Sequence, residues 1–242
     1  MRLKKAMILA AGLGKRLRPL TDDIPKALVK FNGVPLLELL INKLIKHGFN
    51  YIVINIHYRG EKILEFLEQK HFPEAQIIIS DEREKLLDTG GAIKKAAQYL
   101  DTPFLLHNVD IVSTVNLGEL FSFHIRNNKL ATLAVSNRLT DNVLVFDKND
   151  NLCKWKSYKL NIQKPDINCL DEKEYAFSGI HVISPSIFKY FPSEDKFSII
   201  DFYIQTALRG GQITFYDHSG AKWFDVGTIE KLNEAQKAFL KM

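Results

Sequence analysis

Residues Leu9 to Lys26, LAAGLGKRLRPLTDDIPK, constrain this chain more than any other stretch, because they set a glycine-rich turn directly after a short apolar run. The run Ala6 to Ala11 (AMILAA) reads as a buried strand, and a turn at its carboxyl end lies where open parallel sheets place their ligands. Gly12 and Gly14 let a ligand approach backbone N–H groups, since a residue without a side chain neither blocks it nor resists positive φ. Lys15, Arg16 and Arg18 follow within one turn, and Lys26 comes after Pro25. A polyphosphate with about four negative charges is held in this way, by close N–H groups and surrounding cations. Taken alone, Gly12-x-Gly14 serves equally as an ordinary strand-to-helix turn with solvated cations. A dinucleotide fingerprint would need glycine where Leu17 stands, and a P-loop would need Ser or Thr where Arg16 stands; neither motif is present.

The 242 residues, 46% of them hydrophobic, are enough to bury a sizeable core as one large domain or a core with an inserted subdomain. A net charge of +5 suits an acidic ligand, but the cations are scattered rather than gathered in a stripe with aromatics, so a nucleic-acid partner is not expected. No apolar run approaches the roughly 18 residues of a membrane span, and the amino terminus enters a strand without a signal-type segment. A soluble, cytoplasmic enzyme is the expectation. Cys153 and Cys169 lie in the least regular part of the chain without a Cys-x-x-Cys pair, which favours reduced, structural thiols. The seven histidines show no zinc-type spacing, and His107 reads as a satisfied strand histidine.

After the opening loop, helical periodicity runs from Pro35 and Leu36 through Leu40, Leu44 and Ile45 to a stop at Gly48. Strand patterns follow at Tyr51 to Ile56 and Ile77 to Ser80, with a helix over about Glu61 to Gln69 between them. This β-α-β-α-β alternation implies a mainly parallel sheet with helices on both faces. Thr89 suits the cap of a helix through Ala96, and the glycines at its start would leave N–H groups open to a ligand. Pro103 to Leu106 reads as a strand that delivers Asn108 and Asp110, followed by a helix from Leu117 and a strand from Ala131. From Asn142 to about Glu174 short β-like runs (VLVF, LCKW) alternate with polar turns, an antiparallel insertion. Tyr175 to Ile183 and Ile213 to Tyr216 return as strands, and helices are expected from Ser198 and Thr228. The expected fold class is thus α/β, a three-layer α/β/α Rossmann-like arrangement with a small antiparallel β insertion. A single domain over residues 1–242 is expected, with an α/β core in 1–136 and a second half, including the insertion, in 137–242.

Leu9, Ala10, Ala11, Gly12, Gly14, Arg16, Pro19, Leu20, Thr21, Pro25 and Lys26 together match the pattern L-A-A-G-x-G-x-R-x-x-P-L-T followed by P-K. The string resembles the signature of the sugar-nucleotide pyrophosphorylases, the nucleotidyltransferases that join a sugar 1-phosphate to a nucleotide. Asp88-Thr89-Gly90-Gly91-Ala92 is similar to that family's nucleotide-contacting loop. Phe224-Asp225-Val226-Gly227-Thr228 is similar to its late metal-binding turn, so the resemblance runs from end to end. The length and the segment FSGIHVISP (Phe177 to Pro185) look most like N-acetylmuramate-1-phosphate uridylyltransferases and mannose- or heptose-1-phosphate guanylyltransferases.

The resemblance implies a fold, an activity of the EC 2.7.7 type and a set of sites. Asp110 and Asp225 would hold Mg²⁺, a hard ion usually bound by one or two carboxylates plus phosphates and waters. It would offset the repulsion between an anionic sugar phosphate and a triphosphate. Arg16 would neutralise the leaving pyrophosphate, and Lys26 would reach the α-phosphate or the incoming sugar phosphate. No general base is needed, because a sugar phosphate already presents an ionised oxygen. Ala10, Ala11, Gly12, Gly14, Asp81, Thr89 and Gly90 are expected at the nucleotide, and Asn108, Lys164, Ser178 and Gly179 at the sugar. The segment around Asp81 (DEREKLLD) serves equally as a solvated hairpin, and Gln163-Lys164-Pro165 only partly matches the family's Glu-Lys-Pro.

Val109 departs from the glycine that usually precedes the metal aspartate, which would reshape the sugar pocket, and Trp155 and Lys156 receive no role beyond packing. Uridylyl transfer is favoured, with guanylyl transfer to a mannose-like sugar, cytidylyl transfer to a choline- or polyol-type phosphate, and a silent nucleotide-sensing module as alternatives. The chain closes soon after Asp225, so an appended β-helix acyltransferase domain is not expected. Base, sugar and oligomeric state are not legible.

Overall fold

The computed structural model describes residues 3–240. In chain order its strands and helices begin with β1 (Lys5–Leu9), β2 (Lys30–Phe31), β3 (Val34–Pro35), α1 (Leu36–Lys46), β4 (Tyr51–Ile56), α2 (Gly60–Gln69) and β5 (Gln76–Asp81). There follow α3 (Asp88–Ala96), β6 (Phe104–Asn108), β7 (Ile111–Ser113), α4 (Leu117–Asn127), β8 (Ala131–Ser136), β9 (Asn142–Phe146), β10 (Leu152–Ser157) and β11 (Ile162–Lys164). The last are β12 (Lys173–Ile183), α5 (Ile199–Leu208), β13 (Ile213–Asp217), β14 (Trp223–Asp225) and α6 (Ile229–Leu240). The chain divides into two compact units, one of residues 3–86, 106–117 and 222–240, the other of residues 87–105 and 118–221.

In the first unit the strands run in the order β6-β1-β4-β5, with β1 parallel to β4 and β4 parallel to β5. Ala6, Met7 and Ile8, and Ile52, Val53, Ile54 and Ile56, are almost fully buried, as strands covered on both faces require. Helix α1 buries Leu36, Leu37, Leu40, Ile41 and Leu44, one stripe at helical spacing. It stops as expected at Gly48, whose φ of 80° supplies the left-handed turn that closes a helix. Separate from this sheet, β7 and β14 form a two-stranded antiparallel ribbon pairing Ile111 with Asp225, Val112 with Phe224 and Ser113 with Trp223. Phe239 of α6 covers it, with ring centroids 6.0 Å from Phe224 and 5.6 Å from Phe31.

The second unit bears out the antiparallel insertion. Strands β11, β10, β9 and β12 are neighbours in that order, β12 continues onto β8, and β13 lies parallel to β8. Lys173–Tyr175 of β12 pair with β9, while Ala176 onward pairs with β8. The register shifts between Phe177 and His181, where Gly179 at φ 68° allows a bulge to re-aim the strand.

Two local expectations are corrected here. Cys153 and Cys169 are joined as a disulfide, 16 residues apart with Cα atoms 6.6 Å apart. The β10–β11 hairpin and its return loop bring the second sulfur back to the first, a juxtaposition that needs no Cys-x-x-Cys spacing. Thr89 lies inside α3 rather than at its cap, and its hydroxyl accepts a hydrogen bond from the Ile199 N–H at 3.0 Å. Nor is the Gly90 N–H open, since it donates to the Phe197 carbonyl at 2.9 Å.

Glycine is required at the start of α3 because another segment occupies the space of a side chain. A Cβ on Gly90 would overlap the Phe197 ring, and one on Gly91 would overlap the Asp195 carbonyl oxygen. Alanine is worth roughly 1 kcal/mol over glycine inside a helix, yet forcing backbone apart costs more. Gly91→Ala is therefore expected to destabilise the protein by about 2 kcal/mol net, read from chemical denaturation. A variant as stable as the parent would show that this contact yields without cost.

Candidate active site

The first unit gathers the charged residues. Strand β1 hands over to the loop at Ala10, whose N–H donates to Asn55 Oδ1 at 2.7 Å, and Asn55 Nδ2 donates in turn to Glu82 Oε1 at 2.9 Å. Both Asn55 and Glu82 are buried, so a polar relay from β4 and the end of β5 fixes where the loop begins. Ala10 and Ala11 are buried, Gly12 is exposed, and a Cβ on Gly12 would meet nothing within 4 Å. That leaves open space over the backbone at the carboxyl end of the sheet. Gly14 turns the chain at φ 64°, and the buried Thr21 closes the loop by donating from Oγ1 to the Gly14 carbonyl at 2.8 Å. Within the short 3-10 turn Lys15–Leu17, Leu17 is buried and Arg16 is left exposed.

Lys26 opens a second 3-10 turn after Pro25, and its ammonium forms an ion pair with Asp110 Oδ2. Asp110 stands between β6 and β7, held on one side by Val109 N–H donating to the Leu9 carbonyl at 3.1 Å and on the other by Val226 N–H donating to its own carbonyl at 2.9 Å. Val109 itself is buried at the core side of this junction. Asp225 is the last residue of β14, one pairing step away from Asp110 across the ribbon. Its Oδ1 accepts the Gly227 N–H at 2.9 Å, and Lys231 Nζ lies 4.0 Å from its Oδ2. A Cβ placed on Gly227 would stand 2.8 Å from both Arg16 Nη2 and Asp225 Oδ1. Arg16, Lys26, Asp110 and Asp225, from four separate places in the sequence, thus come together around the ribbon's end.

Two carboxylates with oxygen donors suit a hard divalent ion that completes its shell with water and phosphate. Among the described residues no group of three or more His, Cys, Asp or Glu that could hold a metal is found. His107 is fully buried and pushed down to about 3, first by desolvation and then by the Lys43 charge. Its Nδ1 meets the Asn108 carbonyl at 2.8 Å, while its Nε2 has no hydrogen-bond partner among the described residues. At neutral pH it is an uncharged strand residue; the expectation that it is fully satisfied is corrected, because only its Nδ1 finds a partner among the described residues.

The remaining candidates are placed as follows. Asn108 ends β6, half-buried, in the first unit. Asp81 ends β5, and Arg83 holds its carboxylate through Nε at 3.0 Å and Nη2 at 2.6 Å. In the second unit Ser178 is fully buried, with its hydroxyl 3.0 Å from Arg138 Nη1 and 2.7 Å from His218 Nε2. Lys164 lines a cavity of about 450 Å³ together with Trp155, Arg138, Phe177, Asn142 and Asp201. Trp155 therefore has a wall to form, which its sequence did not reveal. Lys156 bridges Glu172 at 2.6 Å and Glu174 at 2.7 Å; hydrogen bonds from Lys154 and Lys156 pull the Glu172 carboxyl down to about 2.

Asn55, Glu82 and Thr21 escaped the sequence reading as loop-setting residues. Thr21 had a signal, being part of the string that carries the resemblance. Glu82 had none, because it sits in a run of charges that otherwise faces water.

A family description, nucleotidyl transferase, matches residues 5–242. The N-acetylmuramate alpha-1-phosphate uridylyltransferase of Caulobacter vibrioides is 40% identical over 118 residues, 48% of this chain and 49% of that protein. The mannose-1-phosphate guanyltransferase of Yarrowia lipolytica is 32% identical over 238 residues, 92% of this chain and 60% of that protein. The matches thus span about half and three fifths of these relatives' lengths. In fold, the crystal structure of HddC from Yersinia pseudotuberculosis aligns with a TM-score of 0.74 at 24% identity, covering 98% of this chain and 100% of that one. No helix among the described residues is long and apolar enough to cross a membrane.

Because Gly227 leaves room for both Arg16 and Asp225, Gly227→Ala is expected to weaken Mn²⁺ binding about tenfold while moving the thermal midpoint by no more than about 3 °C. Paramagnetic titration with a melting curve checks this, and unchanged Mn²⁺ binding would contradict the placement. Its match from the first strand to the last helix and the convergence of its signature residues lead to one conclusion: the chain belongs to the nucleotidyl transferase family.

Proposed function

We propose that this chain transfers a uridylyl group from UTP to an N-acetylmuramate- or other hexose-type 1-phosphate, giving a UDP-sugar and pyrophosphate. One observation carries the reading: Asp110, paired with Lys26, stands one ladder step from Asp225, with Arg16 at the adjoining Gly227. Two cations and two carboxylates in one place are what a reaction between two phosphate-bearing substrates needs. The choice of uridine rests on the 40% identity to the uridylyltransferase. GTP-dependent guanylyl transfer to a mannose- or heptose-type phosphate is the second reading, favoured by the 32% identity over 92% of this chain to the guanyltransferase.

In the proposed mechanism an ionised oxygen of the sugar phosphate attacks the α-phosphorus of the triphosphate in line, forming one P–O bond. The bond from the α-phosphorus to the bridging oxygen of the β-phosphate breaks, and pyrophosphate leaves with the electron pair. Lys26 steadies charge at the α-phosphate or the incoming phosphate, where a mobile ammonium can follow it. Arg16, exposed on its 3-10 turn, offers a planar fork to the leaving pyrophosphate as its charge grows. Asp110 and Asp225 would hold Mg²⁺, which supplies Lewis-acid charge neutralisation. In the first unit Ala10, Ala11, Gly12 and Gly14 receive the nucleotide with Asp81. In the second unit Lys164, Ser178 and Gly179 serve the sugar, with Trp155 and Lys164 lining its cavity. The whole acts as one nucleotidyltransferase domain, nucleotide half in 1–136 and sugar half in 137–242, working in the cytoplasm where nucleoside triphosphates are made.

A panel of UTP, GTP, CTP and ATP against hexose, mannose-like, heptose and polyol phosphates, scored by pyrophosphate release with Mg²⁺ present, tests the reading. UTP with a hexose-type 1-phosphate is expected to turn over fastest. Fastest turnover with GTP and a mannose-like sugar, or with CTP and a polyol phosphate, would replace it. No release with any pair would leave a silent nucleotide-binding module. Asp110→Asn should remove several kcal/mol of charge stabilisation, about a thousandfold in turnover.

A further inference from the structure

The β7–β14 ribbon beside both aspartates is short, and one half-buried cation reaches it from outside. Lys43 projects from α1 and its Nζ donates to the Ser113 carbonyl at 2.6 Å and the Ser113 hydroxyl at 3.0 Å. Ser113 is the last residue of β7, paired with Trp223 of β14. The surroundings are otherwise apolar: a cavity of about 200 Å³ beside Lys43 is walled by Phe31, Leu36, Leu40, Ile111, Val112 and Phe239. Desolvation there pushes the ammonium down to about 8. As a stabilising residue lysine is a poor choice at such a place. Burying an apolar side chain contributes about 1.5–3 kcal/mol, whereas burying a charge costs free energy even when it is hydrogen-bonded.

The ammonium does one thing that an apolar side chain could not. The near end of the ribbon is fixed by the Val226 N–H to the Asp110 carbonyl, and its far end by Thr114 N–H donating to the Lys222 carbonyl at 2.9 Å. Both bonds join the two strands to each other. At the near end the Val109 N–H to the Leu9 carbonyl and the Lys26–Asp110 ion pair tie the junction to the first loop; at the far end Lys43 ties Ser113 of β7 to α1, the helix that follows directly from β3.

We propose that Lys43 is a positioning residue: by anchoring Ser113 to α1 it sets the placement of the ribbon, and through it the separation and aim of Asp110 and Asp225 toward their divalent ion. This inference rests on the reading of the two aspartates as metal ligands. It makes an unusual joint prediction, since filling an apolar cavity with an unbranched apolar side chain should maintain stability while metal binding declines.

The test uses the full chain and Mn²⁺ as the probe, titrated by electron paramagnetic resonance without substrates, with a melting curve for each variant. Lys43→Met is expected to weaken Mn²⁺ binding about tenfold, in the range seen when a residue behind a metal ligand is lost, with the melting temperature unchanged or raised. Lys43→Arg keeps a donor and should restore binding to within about threefold of the parent. Asp110→Asn provides the reference for a lost ligand. If the parent binds Mn²⁺ more tightly than Asp110→Asn, yet Lys43→Met matches the parent, the positioning role is overturned while the metal reading stands. If Lys43→Met and Lys43→Arg lose binding and melting temperature alike, Lys43 is merely structural and the proposal is overturned. If the parent binds no better than Asp110→Asn, the metal reading fails and this inference with it.

Discussion

One backbone hydrogen bond makes the rest of this site possible. The Val226 N–H bonded to the Asp110 carbonyl extends the β7–β14 ladder by one step, and that step brings together two aspartates separated by more than a hundred residues. A loop closure of that length costs entropy that grows only slowly with the number of residues; the ladder bonds and the Phe224–Phe239–Phe31 ring contacts work against it. From this ribbon the chemistry follows: the strand pair sets Asp110 and Asp225 one register step apart, and Gly227 lies beside both Asp225 and Arg16.

Charge balance sets the second constraint. Arg16, Lys26, Asp110 and Asp225 are two cations and two anions within one unit, formally neutral together. The Lys26–Asp110 ion pair keeps the lysine from being an isolated charge when only 15% of its side chain and 13% of the aspartate's are exposed, where an unpaired charge would be costly. A triphosphate with its divalent ion could replace this pairing piecewise, the phosphates taking the lysine and the metal taking the carboxylate. The same residues can therefore rest without substrates as a paired set, and binding exchanges partners rather than leaving Lys26 or Asp110 unpaired.

The sequence made the local parts of this arrangement legible and hid the distant ones. Gly14 with its positive φ could be read because it acts through neighbouring atoms, whereas Lys26, whose ammonium pairs with Asp110, was singled out by the resemblance. The helix α1, its Gly48 stop, the early parallel strands and the antiparallel insertion were readable from periodicity and turn residues. Asp110 and Asp225 were singled out only through the family resemblance, since an aspartate beside a strand looks like any turn residue; their metal role belongs to the proposed function. Nothing in a linear pattern reveals that Glu82, amid a run of charges, is buried against Asn55, that Lys43 on an apolar helix face reaches Ser113, or that Cys169 returns to Cys153. Thr89 looked like a cap because a hydroxyl before a helix usually is one; here the first N–H of α5 takes its oxygen instead. Each of these misses comes from tertiary contact overriding a local preference.

The central claim is that Asp110 and Asp225 share one divalent ion beside the glycine loop. A crystal of the protein grown with Mn²⁺ and a non-hydrolysable triphosphate, analysed by anomalous diffraction, tests it most directly. The account predicts a metal peak bonded to an oxygen of each aspartate and to phosphate oxygens, with Arg16 and Lys26 turned to the same phosphates. A peak bound elsewhere, with the triphosphate distant from both carboxylates, would contradict it.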